Sequence, residues 1–327
     1  MEESKARKLL VDTGIKLLER GLVARTWGNI SCRLDSDNIV ITPSGLDYKK
    51  TKEEDIVKMN LATGKWQGIR KPSGEKRIHL LAYQVFPDVN FVIHTHQTYA
   101  SALGLAGFED LDITEEENEI LGGIMLADYG LPGTKKLTKA VKAVLKDGAK
   151  VVLMKNHGVL ICGSNQEETM RKVILLEDIC KRNVKGVFEV TQEARANEGE
   201  KLLSRVKEKF PYAALVQTPA VIACANRKIP IYAQLDDMAQ MIGWKIPVVS
   251  DNEVTHALEK VNAVFVPGFG ALVRAESEDD MKALELLVDK AAVCRIHTTA
   301  LNVEAKIGFI DAALMKLVYK MKYSKQK

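Results

Sequence analysis

Apolar and polar positions alternate along the chain with two periods, and these periods predict its elements. Over residues 4–20, leucine and isoleucine recur among charged positions at helical spacing, and Gly21 ends the predicted helix. Short apolar runs bounded by turn residues predict strands over residues 29–33, 38–42, 56–60, 90–95, 151–154 and 159–162. Amphipathic runs predict helices over residues 78–85, 98–104, 134–146 and 166–186. Strands and helices in this mixed order indicate an α/β domain of about 200 residues.

The second half of the chain repeats part of this pattern after a predicted linking helix over residues 190–212. Glycine, leucine and acidic positions recur at a constant offset of 112 residues, in the pairs Gly158 and Gly270, Leu160 and Leu272, and Glu167-Glu168 and Asp279-Asp280. We take Val221–Ala225 as the counterpart of Val92–His96. Ala223, Ala225 and Phe269 then stand where the first copy has histidines. Chance similarity between α/β segments is the alternative, but the shared order of the matches favours an internal duplication.

Composition and charge exclude several classes of protein. The chain has 327 residues, of which 46% are hydrophobic and 28% charged, as is ordinary for a soluble globular protein. Its 47 basic and 43 acidic residues leave a net charge of +4, and the basic clusters are scattered, so we expect no nucleic-acid partner. No apolar run is long enough to cross a bilayer. The five cysteines form no Cys-x-x-Cys pair, which favours a reduced, cytoplasmic compartment.

The strongest candidate chemistry is a set of metal-ligand side chains. His94 and His96 follow a buried-strand pattern, and residues i and i+2 of a strand point to the same face. Glu75 precedes them, and His157 lies between two later predicted strands. Three histidines with a carboxylate that substrate can displace are typical of a catalytic rather than a structural zinc site.

Further motifs surround these residues in a recognisable order. They are Thr26–Ser31, Ile41–Gly45, Lys71–Glu75 with His79 and Tyr83 in the next helix, the His-Thr-His strand, and Asn156-His157-Gly158. Over roughly residues 5–185 this order resembles the class II sugar-phosphate aldolase family, also called the aldolase/adducin fold. The resemblance implies a three-layer α/β domain with a central mixed β-sheet over residues 1–205. A partial, metal-free repeat of the same fold would follow over residues 206–327.

The resemblance implies a role for each ligand. A divalent metal, one Zn²⁺ per chain with other divalent ions as alternatives, would be held by His94, His96, His157 and Glu75. As a Lewis acid it would stabilise the enediolate left when a carbon–carbon bond beside a carbonyl breaks. Glu75 would ligate the metal in the empty enzyme and then act as a general base. A surface salt bridge with neighbouring cations is the alternative for Glu75.

Three glycine-containing loops are candidate phosphate sites, because backbone N–H groups and hydroxyls converge in such turns. By resemblance the phosphate-binding residues are Gly28, Asn29, Ser44, Gly45, Ser73 and Gly74, and we call these three segments the phosphate loops. Many relatives have a second serine where this chain has Gly74, so one hydroxyl donor is missing. Plain turns are the alternative.

The second acid/base group is less clear from the sequence. Aldolases of the fuculose-phosphate type use a tyrosine whose position falls near Thr114, so that tyrosine is absent. The segment 114–123 instead resembles a loop that carries a catalytic glutamate in the methylthioribulose-phosphate dehydratase branch, and Glu119 is the best match. An acidic helix start is the alternative. His79 is predicted to be structural rather than a ligand, and His256 and His297 to lie outside the site.

The resemblance favours a lyase that cleaves a small ketose 1-phosphate to dihydroxyacetone phosphate and an aldehyde. The epimerase branch typically has Asp, and the dehydratase branch commonly Cys, where this chain has Glu75. A sugar-phosphate dehydratase or 4-epimerase is the second candidate, and a non-catalytic adducin-like scaffold the third. Family active sites lie between subunits of a four-fold ring, so the resemblance implies a homo-oligomer, a tetramer.

Overall fold

A computed structural model describes residues 1–108, 111–186 and 196–322. The chain divides into two compact units, residues 1–183 and the residues from 184 onward. The first unit has the helices α1 Glu3–Glu19, α2 Lys76–Val85, α3 Thr98–Ala106, α4 Glu115–Leu121, α5 Lys135–Lys146 and α6 Gln166–Asn183. Its strands are β1 Asn29–Arg33, β2 Asn38–Ile41, β3 Val57–Asn60, β4 Phe91–Thr95, β5 Ile124–Ala127, β6 Val151–Met154 and β7 Val159–Gly163.

These strands form one mixed seven-stranded sheet in the order β3-β2-β1-β4-β7-β6-β5. Every neighbouring pair is antiparallel except β5 and β6, which are parallel. β4 lies at the centre, between β1 and β7, and each of its residues is buried. A continuous apolar run is the pattern of a strand covered on both faces, so the predicted central mixed sheet is confirmed.

Helices cover the two faces of the sheet. α2 and α5 pack together over the face that carries Val92, Val152 and Leu160, and side chains of all these elements form one core cluster. α3 and α6 pack together on the opposite face, where Gly104 approaches the side chain of Leu153. Because side chains alternate along β4, His94 points to the same face as Val92, the face covered by α2.

The helix α5 shows how the sequence builds this layer. The Thr134 hydroxyl caps its first turn by accepting a hydrogen bond from the N–H of Leu137. Leu137, Val141, Val144 and Leu145 recur at helical spacing and are buried. Burying one such side chain stabilises the fold by roughly 1.5–3 kcal/mol, so the amphipathic pattern is sufficient to attach the helix to the sheet.

The second unit has its own elements and its own core. Its helices are α7 Ala196–Lys209, α8 Pro219–Asn226, α9 Asp236–Met241, α10 Val254–Leu258, α11 Glu278–Ala300 and α12 Phe309–Lys322. Its strands are β8 Tyr212–Val216, β9 Ile231–Tyr232, β10 Lys245–Ile246, β11 Ala263–Val266 and β12 Gly270–Ala275. β8, β12 and β11 form an antiparallel sheet with β12 in the middle.

Two expectations about this half of the chain change. Val221–Ala225 lies inside the helix α8, so its match to the strand segment Val92–His96 is wrong. The physical reason is that Thr218 caps a helix that begins at Pro219, and proline is favoured in the first helical turn. The unit boundary also lies before the expected 205/206, because Leu202 and Val206 of α7 pack into the second core. Residues 190–195 of the expected linking helix lie outside the described residues.

Two further observations concern the chain as a whole. All five cysteines are free and buried in the structure. Among the described residues, no helix is both long and apolar enough to cross a membrane.

Candidate active site

β4 delivers the first two histidines to the edge of the core. His94 is the fourth residue of the strand and is fully buried, and His96 follows directly after the strand with 8% of its surface exposed. The imidazole centroids of His94 and His96 are 4.8 Å apart. The two imidazoles therefore lie close together, as their i, i+2 spacing predicts.

His157 reaches the same place from the turn between β6 and β7. Asn156 adopts a left-handed conformation with φ of 60°, which asparagine tolerates better than most residues. A side chain on Gly158 would lie 2.4 Å from the carbonyl oxygen of Thr95 and 3.1 Å from the His94 ring. The Asn-His-Gly sequence therefore lets the turn approach β4 closely enough to place the His157 ring 4.9 Å from that of His94.

Glu75 completes the cluster from the N-terminal end of α2. One of its carboxylate oxygens lies 2.8 Å from Nε2 of His157, and the other lies 3.2 Å from Nε2 of His94. The Nε2 atoms of His94 and His96 are 3.0 Å apart. One possible ligand atom from each of Glu75, His94, His96 and His157 lies within 4.8 Å of all the others. We call these four residues the histidine–glutamate cluster.

The donor set of this cluster fits a divalent metal. In a tetrahedral zinc site with bonds of about 2.0–2.1 Å, ligand atoms lie about 3.3 Å apart, and three pairs in the cluster are separated by 2.8, 3.0 and 3.2 Å. The Nδ1 atom of His94 lies 2.9 Å from the carbonyl oxygen of Val159, to which it can only donate. This bond leaves Nε2 of His94 with a lone pair directed at the cluster, as in metal-binding histidines.

The charge state of Glu75 agrees with this arrangement. Burial alone would raise the pKa of Glu75, but without a metal the rings of His94 and His157 can be protonated, and their charges and hydrogen bonds then outweigh burial and hold the pKa well below its usual range. The side chain is 13% exposed. Glu75 is therefore a carboxylate in a largely dry pocket, which suits both a ligand and a base.

A chain of buried side-chain hydrogen bonds connects Tyr83 of α2 to Glu75. The side-chain Nδ2 of Asn29 donates to the Glu75 carboxylate at 3.0 Å, and the side-chain Oδ1 of Asn29 lies 2.5 Å from Nε2 of His79. The other ring nitrogen of His79 is 2.7 Å from the Ser31 hydroxyl, which is 2.8 Å from that of Tyr83. Burial lowers the pKa of His79 to about 3, so its ring is neutral. The sequence motifs contain all these residues but do not reveal that they connect.

Two of the phosphate loops are held together beside Glu75. The N–H of Ser44 donates to the carbonyl oxygen of Lys71 at 2.9 Å, and the N–H of Ser73 donates to that of Thr42 at 3.1 Å. The Ser73 hydroxyl accepts a hydrogen bond from the N–H of Glu75 at 3.2 Å. The pairing thus brings Gly45 and Gly74 to the same end of the sheet. Gly28, in the third loop, lies directly against the backbone carbonyl of His94.

The candidate catalytic residue Glu119 lies outside the histidine–glutamate cluster. Glu119 is exposed on α4, whose first turn has a capping box between Thr114 and Glu117. Within the described residues, the candidate metal ligands that converge do not include Glu119. Its catalytic role stays a prediction.

Tyr48 is a residue that the sequence motifs do not indicate. It is buried, and burial and the charge of Glu75 both raise its pKa.

The two other histidines of interest lie in the second unit. His256 is exposed and approaches Glu259, while His297 is buried and accepts a hydrogen bond from the N–H of Lys185 at 2.9 Å. Neither is among the converging metal ligands of the described residues.

Known proteins resemble the first unit. Residues 8–184 match the family described as Class II Aldolase and Adducin N-terminal domain. L-fuculose phosphate aldolase of Escherichia coli (strain K12) is 33% identical over 172 residues, which are 52% of this chain and 78% of that enzyme. 5-deoxy-D-ribulose 1-phosphate aldolase of Bacillus thuringiensis serovar kurstaki is 37% identical over 162 residues, which are 49% of this chain and 75% of that enzyme.

A solved structure agrees with these sequence matches. An L-fuculose 1-phosphate aldolase matches with a TM-score of 0.51 and 34% identity, over 56% of this chain and 86% of that one. The family match covers more than half of the chain and includes every residue of the histidine–glutamate cluster. The chain belongs to the class II aldolase and adducin family.

Proposed function

We propose that this protein is a metal-dependent aldolase that cleaves a small ketose 1-phosphate into dihydroxyacetone phosphate and an aldehyde. The observation that carries the proposal is the convergence of Glu75, His94, His96 and His157 beside the paired loops at residues 44–45 and 73–74. Relatives named as aldolases of fuculose phosphate and of 5-deoxyribulose 1-phosphate support this substrate class.

The residues divide the work between binding and proton transfer. A divalent metal, with Zn²⁺ as the expected ion, would supply Lewis-acid stabilisation of the negative charge that develops on the substrate oxygens. Ser44, Ser73 and the backbone N–H groups of Gly45 and Gly74 would bind the phosphate. An amide NH₂ carries two hydrogens, so Asn29 can contact both Glu75 and a phosphate oxygen.

Glu75 carries the proton chemistry of the proposed reaction. When the bond between the third and fourth carbons breaks, its electron pair remains on the dihydroxyacetone half as an enediolate. Glu75 would take up one proton from water and deliver it to the enediolate carbon, while the hydroxyl proton of the aldehyde half leaves through a second base to water, so that one proton enters and one departs in each turnover. The hydroxyl proton on the aldehyde half needs a second base, for which Glu119 is our candidate if a homo-oligomer brings it to a neighbouring site.

The test is a set of ketose 1-phosphates incubated with zinc-loaded protein, with triose phosphate measured by coupled NADH oxidation. We expect equal amounts of substrate lost and triose phosphate formed. Loss of substrate without triose phosphate would favour a dehydratase or 4-epimerase. Absence of any conversion, with far less than one metal per chain, would favour a scaffold.

The histidine–glutamate cluster is tested by His94→Ala. We expect this change to lower bound metal well below one per chain and to reduce kcat/KM at least about 100-fold, since one of the metal ligands is lost. His256→Ala is the matched control, because His256 is exposed and belongs to the second unit. Metal analysis and kinetics on both variants decide. Full metal content in His94→Ala would contradict the assignment.

A further inference from the structure

The buried chain from Tyr83 to Glu75 has only one consistent direction of hydrogen bonding. The Asn29 nitrogen donates to Glu75, so the Asn29 oxygen is left to face His79 and can only accept. Nε2 of His79 must therefore carry the ring proton. Because the ring is neutral, its Nδ1 accepts from the Ser31 hydroxyl, and Ser31 in turn accepts from Tyr83.

This direction is set at the Glu75 end of the chain, and burial protects it along the rest. His79 and Ser31 are fully buried, and Asn29 and Tyr83 are at most 5% exposed, so water does not compete for these bonds. At the far end the Arg33 guanidinium donates to the backbone carbonyl of Tyr83 at 2.9 Å and lies 5.0 Å from the centre of its ring. At the near end, a reversed Asn29 amide would place its oxygen against the Glu75 carboxylate, which is repulsive.

We propose that His79 is a positioning residue that orients the Asn29 amide and, through it, the Glu75 carboxylate. The meaning of this for catalysis rests on the proposed function, whereas its effect on metal binding does not. With Asn29 locked by His79, one oxygen of Glu75 keeps a fixed donor whether or not the carboxylate contacts a metal. The base therefore has a defined direction during proton transfer instead of rotating in the pocket.

Two substitutions at the same position separate positioning from packing. In His79→Gln the side-chain amide nitrogen falls near the place of Nε2 and still donates to Asn29. In His79→Asn the amide falls near the place of Nδ1, so it can meet Ser31 but cannot reach Asn29. Tyr83→Phe is the matched control, because it removes a bond of the same buried chain without changing the donor to Asn29.

Three measurements read out the effect. We expect His79→Asn to weaken Zn²⁺ binding, measured by competition with a chromophoric chelator, by about 10–100-fold. We expect kcat in that variant to fall by a similar factor and by more than KM rises, since Asn29, once released, also loses its proposed contact with the phosphate. His79→Gln and Tyr83→Phe should stay within about threefold of the unsubstituted protein in each quantity. Equal losses in all three variants would show that the chain only supports the fold and would overturn the proposal.

A measurement on the unsubstituted protein covers the case in which a variant does not fold. In metal-free protein labelled with ¹⁵N in histidine, the ring of His79 should be the neutral Nε2–H tautomer between pH 5 and 8. An Nδ1–H tautomer would leave nothing to donate to Asn29 and would overturn the proposal. If the protein cleaves no ketose phosphate, the proposed function fails, while the tautomer and the metal affinities still decide on His79.

Discussion

The family resemblance implies a second serine where this chain has Gly74, and the surroundings of Gly74 leave room for such a side chain. A β-carbon built on Gly74 meets no atom within 4 Å, and the residue has no left-handed backbone conformation. It follows Ser73, whose hydroxyl already accepts from the N–H of Glu75. A hydroxyl at position 74 would therefore face open space beside the phosphate loops without steric cost.

Gly74→Ser should tighten phosphate binding. One added hydrogen bond to a charged oxygen contributes about 1.5 kcal/mol net, so we expect KM for a phosphorylated substrate and the inhibition constant of inorganic phosphate to fall about tenfold. Gly74→Ala is the matched control, since it adds the β-carbon without the donor. If both variants improve binding equally, or if KM rises with serine, the loop does not bind phosphate.

The candidate metal ligands could be predicted from sequence, but the residues that orient them could not. The i, i+2 spacing of His94 and His96 predicts that both side chains lie on one face of the strand. The Asn-His-Gly sequence at residues 156–158 predicts a turn that contains His157. The bond between His79 and Asn29 joins residues about 50 positions apart. This hydrogen bond depends on how α2 packs against β1, and no local sequence pattern predicts that packing.

At the scale of elements, the helix α6 depends on an ion pair between its first turns. Glu168 lies 2.7 Å from the ammonium group of Lys172, which is only 2% exposed and also donates to the carbonyl oxygen of Cys162. Burial would raise the pKa of Glu168, but hydrogen bonds from Lys172 and Ser164 outweigh it and lower the pKa to about 2. Removing the carboxylate leaves a buried ammonium with weaker compensation.

Glu168→Gln should lower the free energy of unfolding in a pH-dependent way. We expect a loss of about 1–2 kcal/mol at pH 7, discounted because the Glu168 side chain is 36% exposed. The pKa is depressed in the folded state, so the carboxylate stabilises the fold above its ordinary value of 4.5. That stabilisation is lost as the pH falls from 4.5 through about 2, and the difference between the proteins should shrink accordingly.

Urea unfolding with a chelator present, at several pH values, measures this difference without a contribution from metal. Glu167→Gln is the control, because Glu167 lies in the same first turn of α6 but is exposed. A loss that is equal in both variants, or that persists at the lowest pH, would point to the helix dipole or to packing instead of the ion pair.

Strand prediction succeeded where turn residues bound the run on both sides, and it failed where a helix-start signal preceded an apolar run of similar length. β1 and β6 have the bounds that their apolar runs predict. Val221–Ala225 is also a short apolar run, but a run of that length does not distinguish a strand from a buried helix. The discriminating signal is Thr218-Pro219, a helix cap followed by proline, which marks the start of α8.

At the scale of the whole molecule, the predicted duplication finds a different counterpart for β4. The sheet orders β4-β7-β6 and β8-β12-β11 are alike. His94 pairs with Leu160 of β7, and Leu215 pairs with Leu272 of β12, which lies 112 positions after Leu160. The duplication stays a prediction. Under it, Leu215, Gln217 and Phe269, rather than Ala223, Ala225 and Phe269, occupy the histidine positions.

Two further features follow the same correspondence. Gly158 lies against the carbonyl oxygen of Thr95, and Gly270 lies against that of Val216. Glu177 accepts hydrogen bonds from backbone N–H groups in the first turn of α3, at 2.9 Å from Tyr99 and 3.0 Å from Ala100. Asp289 accepts from the hydroxyl of Thr218, the capping residue of α8. A strand, a capped helix and a carboxylate therefore recur together, which chance similarity between two α/β segments explains poorly.

The first unit should fold and bind metal without the second. It contains its own core, and Glu75, His94, His96 and His157 all belong to it. A chain of residues 1–186 should therefore unfold cooperatively and bind one Zn²⁺. Its Kd for Zn²⁺ should lie within about threefold of that of the full chain.

The melting temperature of this short chain should rise with added Zn²⁺, because a ligand that binds only the folded state stabilises it by mass action. The same short chain with His94→Ala should fold but show no such rise. If the short chain is folded and yet fails to bind Zn²⁺ where the full chain binds it, the second unit contributes to the metal site itself, and a metal-free repeat would then have acquired a role that its sequence alone does not indicate.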